Sequence, residues 1–449
     1  MFTSRSAIET YQRCPRRRFW EYLYLGKGIR PSDTSVPLTT GTAVHAGVGH
    51  LLNFLRIGAI LNEERIKEAC KIATDKYEAI CSEKFKGVES NYGNEYTFKE
   101  QKALTEGLVI LWALVEAPEL SKHYEVVEVE KEEKFVLVPG KSLEIDTIVM
   151  EGRVDAILKN KEGKNSYTLY NLKTSKRWTT YNRDSFAYDL QGLTESICVK
   201  KRWEREDEIK NNLLNCVEGA GLKKNHADAI EKCISGYGVR NLVGVRYCIL
   251  VKGDYKEPWE SAGFKCTHSP IVRGYKRDNP NGTDYAHSWY FDNPNNKSGK
   301  GALGRGWDPF NVWEKFEIAD WVSACWEGEV QPEAKRNLLD IVQLFEVYRN
   351  PREIEDTLVQ IQHQERQVIK VAKLANEIDI NTEGTEGRSK WEEMEMDAYL
   401  AKYFPMNRGS CIYPYACNFI PICHKGIKPT IDEGWEFREP HHEGERESQ

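Results

Sequence analysis

Four cysteines at the two ends of the chain constrain its fold more than any other feature. Cys14 lies near the start, and Cys411, Cys417 and Cys423 form a Cys-x5-Cys-x5-Cys array near the end. Four thiolates at one point can hold an iron–sulfur cluster or a zinc ion. A metal bound by all four would close a loop of almost the whole chain and bring its two ends together. The catalytic residues are then expected between them.

Charge gives only local evidence of a partner. The 449 residues carry a net charge of −6, which makes no global case for nucleic-acid binding. Residues 13–18 contain four arginines, and residues 173–183 contain four basic and two aromatic residues. Such runs suit a phosphate backbone and stacked bases, with a solvated charged face as the alternative for the second run. The candidate DNA contacts are Arg16, Arg17, Lys176, Arg177, Trp178 and Tyr181.

The sequence also indicates a compartment. The N-terminus lacks an apolar signal core, and no stretch approaches the roughly 18 apolar residues of a membrane-spanning helix. A cytoplasmic protein without a membrane partner is therefore expected, in a compartment where disulfides are disfavoured. The other eight cysteines are scattered and are expected to be buried free thiols.

The order of predicted elements is typical of an α/β fold. Apolar residues at near-helical spacing predict helices, the first interrupted at Pro15 and the fourth ending before Pro118, over 4–26, 41–55, 62–83 and 98–116. Alternating apolar residues then predict strands over 124–130, 133–138, 148–158 and 167–173. A helix over 185–203 and a strand over 243–251 follow. Helical patterning resumes over 309–378 and 391–403.

These elements divide the chain into six parts. They are a helical part at 1–120, an α/β core at 121–251 with a helical insertion at about 204–235, a Gly- and Asn-rich basic insertion at 252–308, a helical part at 309–405, the cysteine segment at 406–425 and a charged tail, expected to be disordered, at 426–449. No Gly-x4-Gly-Lys-Ser/Thr sequence occurs, so the chain is not expected to be an ATP-driven motor. Any helicase or recombinase partner is expected on another chain.

Two neighbouring strands carry the strongest chemical signal. Asp155 lies in the strand over 148–158, and the next strand ends in Asn171-Leu-Lys173. Positions i and i+2 of a strand point the same way, so Asn171 and Lys173 are expected to face one pocket beside Asp155. Phosphodiester hydrolysis needs oxygen ligands for Mg²⁺ or Mn²⁺ and a cation near the attacking water. Asp155 and Lys173 suit these two roles.

Five motifs in this order resemble a known family. They are Ser6-Ala-Ile-Glu-Thr-Tyr-Gln-Arg-Cys-Pro-Arg, Gly41-Thr-Ala-Val-His45, Gly152-Arg-Val-Asp155, Asn171-Leu-Lys173 and the glutamine of Tyr-Asp-Leu-Gln191. The chain resembles the RecB-type branch of the PD-(D/E)XK nuclease superfamily over about residues 4–200 and again at 411–423. Within that branch it is similar to the iron–sulfur nucleases, such as the AddB subunit and the CRISPR adaptation nuclease.

The resemblance implies a fold, cofactors and an activity. The fold is a restriction-endonuclease-like mixed sheet flanked by helices, with helical insertions and a [4Fe–4S] cluster that joins the two ends. The activity is that of a DNA exonuclease on single strands or DNA ends, as used in DNA repair and recombination. The Mg²⁺ or Mn²⁺ ligands are His45, Asp155, Asn171 and the carbonyl of Leu172. The catalytic residues are Asp155, Asn171, Lys173 and Gln191.

Two departures from the family pattern alter these expectations. Position 171 carries an amide where the family has its second carboxylate, and Asn171 has no charge to offer a cation. The amide predicts weaker metal binding and an impaired nuclease. The first gap of the C-terminal cysteine array is also wider than is common in the family, which leaves open whether a cluster or zinc is bound.

Three functions remain open on the sequence alone. The first is a metal-dependent DNA nuclease. The second is a weakened DNA-binding or scaffolding module that keeps the fold and the cluster. A zinc-stapled enzyme without a nucleic-acid substrate is a third, which His45, Asp155 and Lys173 disfavour.

Overall fold

The protein was analysed as a computed structural model. The structure describes residues 2–31, 36–84, 92–140, 147–163, 165–175, 178, 180–219, 240–252, 342–380, 398–412, 416–425, 429, 431 and 434–438. The predicted basic insertion lies outside these ranges except for residue 252, and the predicted helical insertion lies outside them from residue 220 onward.

Helices and strands alternate in blocks along the chain. The helices are α1 (Arg5–Arg13), α2 (Pro15–Arg18), α3 (Val36–Arg56), α4 (Glu63–Lys84), α5 (Tyr92–His123), α6 (Thr180–Ser185), α7 (Leu190–Gly219), α8 (Pro351–Ile380), α9 (398–403) and α10 (Ile420–Lys425). The strands are β1 (Phe2–Ser4), β2 (Ile29–Pro31), β3 (Tyr124–Val138), β4 (Ile148–Asn160), β5 (Ser166–Ser175), β6 (Asn241–Val251), β7 (Val342–Tyr348) and β8 (Trp435–Phe437).

A mixed sheet forms the centre of the described structure. Its strands run β1-β4-β5-β6-β7, and β3 pairs with β4. The β1–β4 and β5–β6 pairs are parallel, whereas the β3–β4, β4–β5 and β6–β7 pairs are antiparallel. Strand β4 pairs with β3 along one edge, while β1 and β5 share its other edge.

Helices cover both faces of this sheet. Helices α3, α4 and α5 pack on one face through a core that includes Val48, Leu108 and Trp112, each fully buried. Helices α1, α7 and α8 pack on the other through Ile8, Ile197 and Ile361. Burial of this apolar surface is the main favourable term in folding. The predicted mixed sheet flanked by helices is therefore confirmed.

A separate apolar cluster joins the two ends of the chain. After the break at Cys14 and Pro15, the chain continues through α2 and a π-helical turn at Phe19–Leu23. Phe19, fully buried, packs against Phe404 with ring centroids 5.2 Å apart. Strand β8 pairs antiparallel with β2 in a small second sheet. The N- and C-terminal regions thus lie side by side, joined by apolar packing and by the pairing of β2 with β8.

Three predictions of secondary structure are wrong. Helix α5 does not end before Pro118 but continues to His123, because fully buried residues on either side of the proline, among them Trp112 and Leu120, hold it against the sheet. Residues 342–348, predicted helical, form β7 because they pair with β6. Residues 435–437, predicted disordered, form β8.

Other predictions agree with the structure. The first helix is interrupted at Cys14, directly before Pro15, and strands form over the predicted core segments. Four of the scattered cysteines are buried free thiols, namely Cys70, Cys81, Cys198 and Cys248. Among the described residues, no helix is long and apolar enough to cross a membrane.

Candidate active site

A gap between two strands sets the position of Asp155. The pairing of β1 with β4 ends at Ser4 opposite Glu151, and the pairing of β5 with β4 begins at Ala156. Asp155 lies between these two pairings. Its Oδ2 accepts a hydrogen bond of 2.8 Å from the backbone N–H of Leu172, on the part of β5 that has left β4. The carboxylate therefore lies where the sheet opens.

The side chains of β4 also change sheet faces at this residue. Met150 and Val154 pack on the α7 side of the sheet, whereas Ala156 and Leu158 pack on the α3–α5 side. Side chains alternate along a strand, so even-numbered residues keep one face unless the strand rotates. On β3, Glu130 has a φ of +46°, in the left-handed region. The two strands change faces together, and Asp155 is the residue at the change.

Helix α3 brings His45 to this opening. A Cβ at Gly41 would lie 2.8 Å from the Oγ1 of Thr174, so the glycine allows α3 to approach β5 closely. One helical turn later, His45 Nδ1 lies 3.6 Å from Asp155 Oδ1. The two side chains keep 28% and 17% exposure, so the pair can be reached from solvent.

Strand β5 presents Asn171 and Lys173 to helix α7, as the i, i+2 spacing predicts. The Nε2 of Gln191 donates to Asn171 Oδ1 at 3.0 Å, and Lys173 Nζ donates to Gln191 Oε1. Gln191 is therefore the residue that links the two strand residues. The sequence predictions for Asp155, Lys173 and Gln191 place them in one site, and the structure brings them together.

A carboxylate that sequence reasoning missed completes this network. Glu195 Oε2 accepts a 2.6 Å hydrogen bond from Asn171 Nδ2, and its Oε1 accepts one of 2.7 Å from Gln191 Nε2. Glu195 is 5% exposed. The spacing Gln191-x3-Glu195 puts both side chains on one face of a helix, and this was the signal available in the sequence.

Hydrogen bonds of Asp189, Tyr247 and Arg349 hold the start of α7 over the strands. Asp189 Oδ1 accepts a 3.1 Å hydrogen bond from the backbone N–H of Gln191, and the Tyr247 hydroxyl lies 3.3 Å from Asp189 Oδ2. Arg349, 4% exposed, donates to the carbonyls of Phe186 and Ala187. Arg349 follows β7, so a part of the chain beyond residue 341 helps to position Gln191.

Burial and charge shift the titration of this cluster. Burial raises the pKa of Glu195 to about 7, with Asp155 adding to the rise and Lys173 opposing it. Burial also lowers the pKa of Lys173, which the carboxylates of Glu195 and Asp155 partly counter. Burial acts to raise the pKa of Asp155, but His45, Lys173 and the Leu172 N–H together hold it below its usual value.

The donor set suits a divalent cation. Within the described part of the chain, no three His, Cys, Asp or Glu side chains form a ready metal site. The Asp155 carboxylate suits Mg²⁺ or Mn²⁺, and the imidazole of His45 suits divalent transition-metal ions. Their 3.6 Å separation can be spanned by one ion at about 2.1 Å from each atom. His45 and Asp155 thus provide two of the donors that a divalent ion such as Mg²⁺ or Mn²⁺ would need.

The predicted DNA-contacting residues differ in how far their side chains are exposed. Arg16 is 6% exposed, and its Nε donates to the carbonyl of Phe404 at 2.8 Å, so it packs inside the protein. Arg17 is partly exposed and pairs with Glu21. Trp178 is half-buried, its ring stacked on Phe186 with centroids 6.2 Å apart. Lys176, Arg177 and the side chain of Tyr181 lie outside the described residues.

The four terminal cysteines lie near one another, but among the described residues no three of them form a group close enough to hold a metal ion. Cys14 is 7% exposed, and the backbone N–H of Asn407 lies 3.5 Å from its Sγ. The thiols of Cys14, Cys411 and Cys417 are close enough to Cys423 to affect its pKa, which burial and these neighbours raise to about 12 against the effect of Arg16. The Cys411 Sγ also lies 3.5 Å from His424 Nε2.

Comparison with known proteins gives a family match for part of the chain. No curated protein matches the chain. A family model does match, and its range runs from β1 into α7, including His45, Asp155, Lys173, Gln191 and Glu195. The C-terminal cysteines lie beyond this range. Residues 3–212 of the chain match the family model of the PD-(D/E)XK nuclease superfamily.

Proposed function

We propose that the protein is a metal-dependent DNA nuclease of the RecB type, acting on single strands or DNA ends. The observation that carries this proposal is the meeting of Asp155, Lys173 and Gln191 where β4 and β5 separate, with His45 3.6 Å from the same carboxylate. A carboxylate and a lysine at a sheet opening suit phosphodiester hydrolysis.

Each residue has a role in this proposal. His45, Asp155, Asn171 and the Leu172 carbonyl would hold Mg²⁺ or Mn²⁺. When bound, the ion would neutralise charge on the scissile phosphate and lower the pKa of the attacking water. Lys173 would orient that water. Gln191 fixes the lysine ammonium through its Oε1 and so restricts where the positive charge can lie.

The basic segment supports DNA as the substrate. Lys173 is both the last residue of the Asn171-Leu-Lys173 motif and the first of the run over 173–183, so a DNA strand bound by that run would pass the site. Phosphate contacts of this kind dominate nucleic-acid affinity and weaken with salt. From the N-terminal run we include Arg17, which is partly exposed.

The test is release of nucleotides from end-labelled DNA. We expect cleavage with Mn²⁺ or Mg²⁺ and none with EDTA, and we expect linear single strands to be cut faster than closed circles. Stable DNA in the presence of Mn²⁺, under conditions where the protein is folded, would contradict the proposal. Equal cleavage of circles and linear strands would keep the nuclease but reject the preference for ends.

Asn171 favours a second candidate function. An amide in place of a carboxylate lowers the negative charge available to a dication, so the protein would bind DNA without cutting it at a useful rate. In that case the nucleotide-release assay shows no cleavage, while a separate titration of the labelled DNA shows binding that weakens with salt. The nuclease is preferred because Asp155, Lys173 and Gln191 retain a connected arrangement.

We further propose that Cys14, Cys411, Cys417 and Cys423 hold a [4Fe–4S] cluster. Thiolates are the ligands of such clusters, and zinc is the alternative metal for four cysteines. The two ends of the chain already meet through Phe19 and Phe404, so the cluster would strengthen a junction that protein contacts form.

The cluster prediction is tested by colour and metal content. Anaerobically purified protein should be brown, with about four irons per chain and broad absorption near roughly 400 nm. Cys14→Ala should remove the colour and lower the melting temperature, whereas Cys81→Ala removes a distant buried thiol and should leave the colour unchanged. Colourless protein with stoichiometric zinc would reject the iron cluster.

A further inference from the structure

We propose that Glu195 is a positioning residue, which fixes the orientation of the Gln191 amide and through it the location of the Lys173 ammonium. The inference rests on the proposed nuclease function, in which Lys173 orients the attacking water. It adds to that function a residue of α7 that acts through another side chain.

The hydrogen bonds to Glu195 restrict two neighbouring amides. Its Oε2 accepts from Asn171 Nδ2 at 2.6 Å, and its Oε1 accepts from Gln191 Nε2 at 2.7 Å. An ionised carboxylate can only accept hydrogen bonds, so both amides turn their NH2 groups towards it. The oxygen of the Gln191 amide must then face away from Glu195.

Lys173 restricts the other side of the same network. Its ammonium can only donate, and it donates to Gln191 Oε1. Gln191 Nε2 also donates to Asn171 Oδ1 at 3.0 Å. Because an acceptor-only group lies at one end and a donor-only group at the other, only one orientation of each amide satisfies all of these contacts. The negative charge of Glu195 therefore determines that an oxygen faces the ammonium.

Burial makes this orientation depend on protein groups. Glu195 and Asn171 are 5% and 0% exposed, so water has little access to replace a lost partner. A buried donor left without an acceptor costs free energy, which penalises the other amide orientations. Within the described residues Lys173 forms no salt bridge, so its hydrogen bond to Gln191 is what holds the ammonium.

Glutamine at position 195 would remove this restriction at nearly constant side-chain size. One end of its amide is a donor, so it cannot accept from both Asn171 and Gln191. One contact of the network then sets a donor against a donor. The rearrangements of these amides that relieve it turn the Gln191 NH2 group towards Lys173, so the ammonium loses its fixed acceptor.

The first experiment measures steady-state cleavage of end-labelled DNA with Mn²⁺ by the full chain. Glu195→Gln should lower kcat on the order of 10²-fold, the cost of a misplaced catalytic group. KM for DNA should stay unchanged, because Glu195 is buried. Glu204→Gln, an exposed glutamate of the same helix, is the control and should match the wild type. Circular dichroism should show that both variants are folded.

An exchange of the two side chains tests the direction of the hydrogen bonds. Gln191→Glu alone would set two carboxylates against each other at the 2.7 Å now spanned by a hydrogen bond, and it should also lower kcat. In Gln191→Glu/Glu195→Gln an acceptor-only group again faces Lys173, and the new glutamine can donate to it. The kcat of the double variant should therefore exceed that of either single variant. A role of Glu195 in packing alone predicts additive losses instead.

Nuclear magnetic resonance of the ¹⁵N-labelled protein, without metal or DNA, measures the amide orientation itself. We expect slowly exchanging side-chain NH2 signals from Asn171 and Gln191 in the wild type and in Glu204→Gln. In Glu195→Gln these signals should broaden or exchange rapidly. The variants Asn171→Asp and Gln191→Glu each remove one pair of signals and so assign them.

The outcomes distinguish this inference from the proposed function. Wild-type protein that cuts DNA, together with a folded Glu195→Gln variant of equal kcat, would overturn the inference and leave the nuclease intact. Side-chain NH2 signals that are unchanged in Glu195→Gln would also overturn it. Wild-type protein that does not cut DNA, but whose protected NH2 signals are lost in Glu195→Gln, would contradict the nuclease and support the orienting role of Glu195.

Discussion

Replacement of Asp155 by asparagine is expected to abolish measurable Mn²⁺ binding and DNA cleavage while leaving the fold intact. The asparagine oxygen can still accept the hydrogen bond from the Leu172 N–H, so only the charge is lost. Changes to groups that merely support a metal ligand cost about 10–100-fold, so loss of the charged ligand itself should exceed that range. Calorimetry with Mn²⁺ and the end-labelled DNA assay measure the two effects.

Two further variants sharpen this prediction. Asp155→Ala also leaves the Leu172 N–H without its partner, which adds an expected loss of about 1–3 kcal/mol in the free energy of unfolding. Asp184→Ala removes an exposed aspartate of α6 and should resemble the wild type in all three measurements. Mn²⁺ affinity that survives in a folded Asp155→Asn protein would show that the cation binds elsewhere.

Replacement of Arg18 by alanine is expected to lower the free energy of unfolding by about 3–5 kcal/mol, because it leaves the buried carboxylate of Glu365 without its paired charge. Arg18 and Glu365 are 2% and 0% exposed and form a 3.0 Å salt bridge. The hydroxyl of Thr3, in β1, also donates to Glu365 Oε2 at 2.6 Å. Without the guanidinium, the carboxylate keeps only hydrogen bonds from neutral groups. Urea unfolding followed by tryptophan fluorescence measures the loss.

The neighbouring arginine provides the control. Arg17 pairs with Glu21 one turn away at 31% exposure, so Arg17→Ala should cost less than about 1 kcal/mol. The double variant Arg18→Ala/Glu365→Gln should recover part of the loss, because it also removes the unpaired charge of Glu365. Equal effects of the two single arginine variants would show that the buried pair adds nothing to stability.

The parts of the site that were predictable from sequence depend on local spacing. Asn171 and Lys173 share a strand face because strand residues alternate, and the structure agrees. Glu195 was missed although it stands four residues after Gln191, because only position 171 was expected to carry the second acid. The burial of Arg16 was also unpredictable, since its partner is a carbonyl at residue 404. Such a contact leaves no trace in the sequence around Arg16.

The fold was predictable to a similar degree and for similar reasons. Long periodic segments such as α4 and β5 were found within a few residues. Strand β7 was missed because its residues pair with residues of β6 that lie 92 to 104 positions earlier in the chain. Pro118 was taken as a helix end because proline removes a backbone donor, yet burial on both sides of it outweighs that loss. Tertiary contacts decided each case.

The bond between Arg18 and Glu365 also sets an order of events during synthesis. The two residues are 347 positions apart, so the ribosome makes the N-terminal arginine long before its partner exists. Until residue 365 emerges, β1, α1 and α2 lack the helix that completes their buried pairs. Contacts of such long range slow folding, because the loop between them must close first. A truncated chain ending before α8 would therefore carry Asp155, Lys173 and Gln191, with β1 held by its pairing with β4 but without the contacts of Thr3 and Arg18 to Glu365.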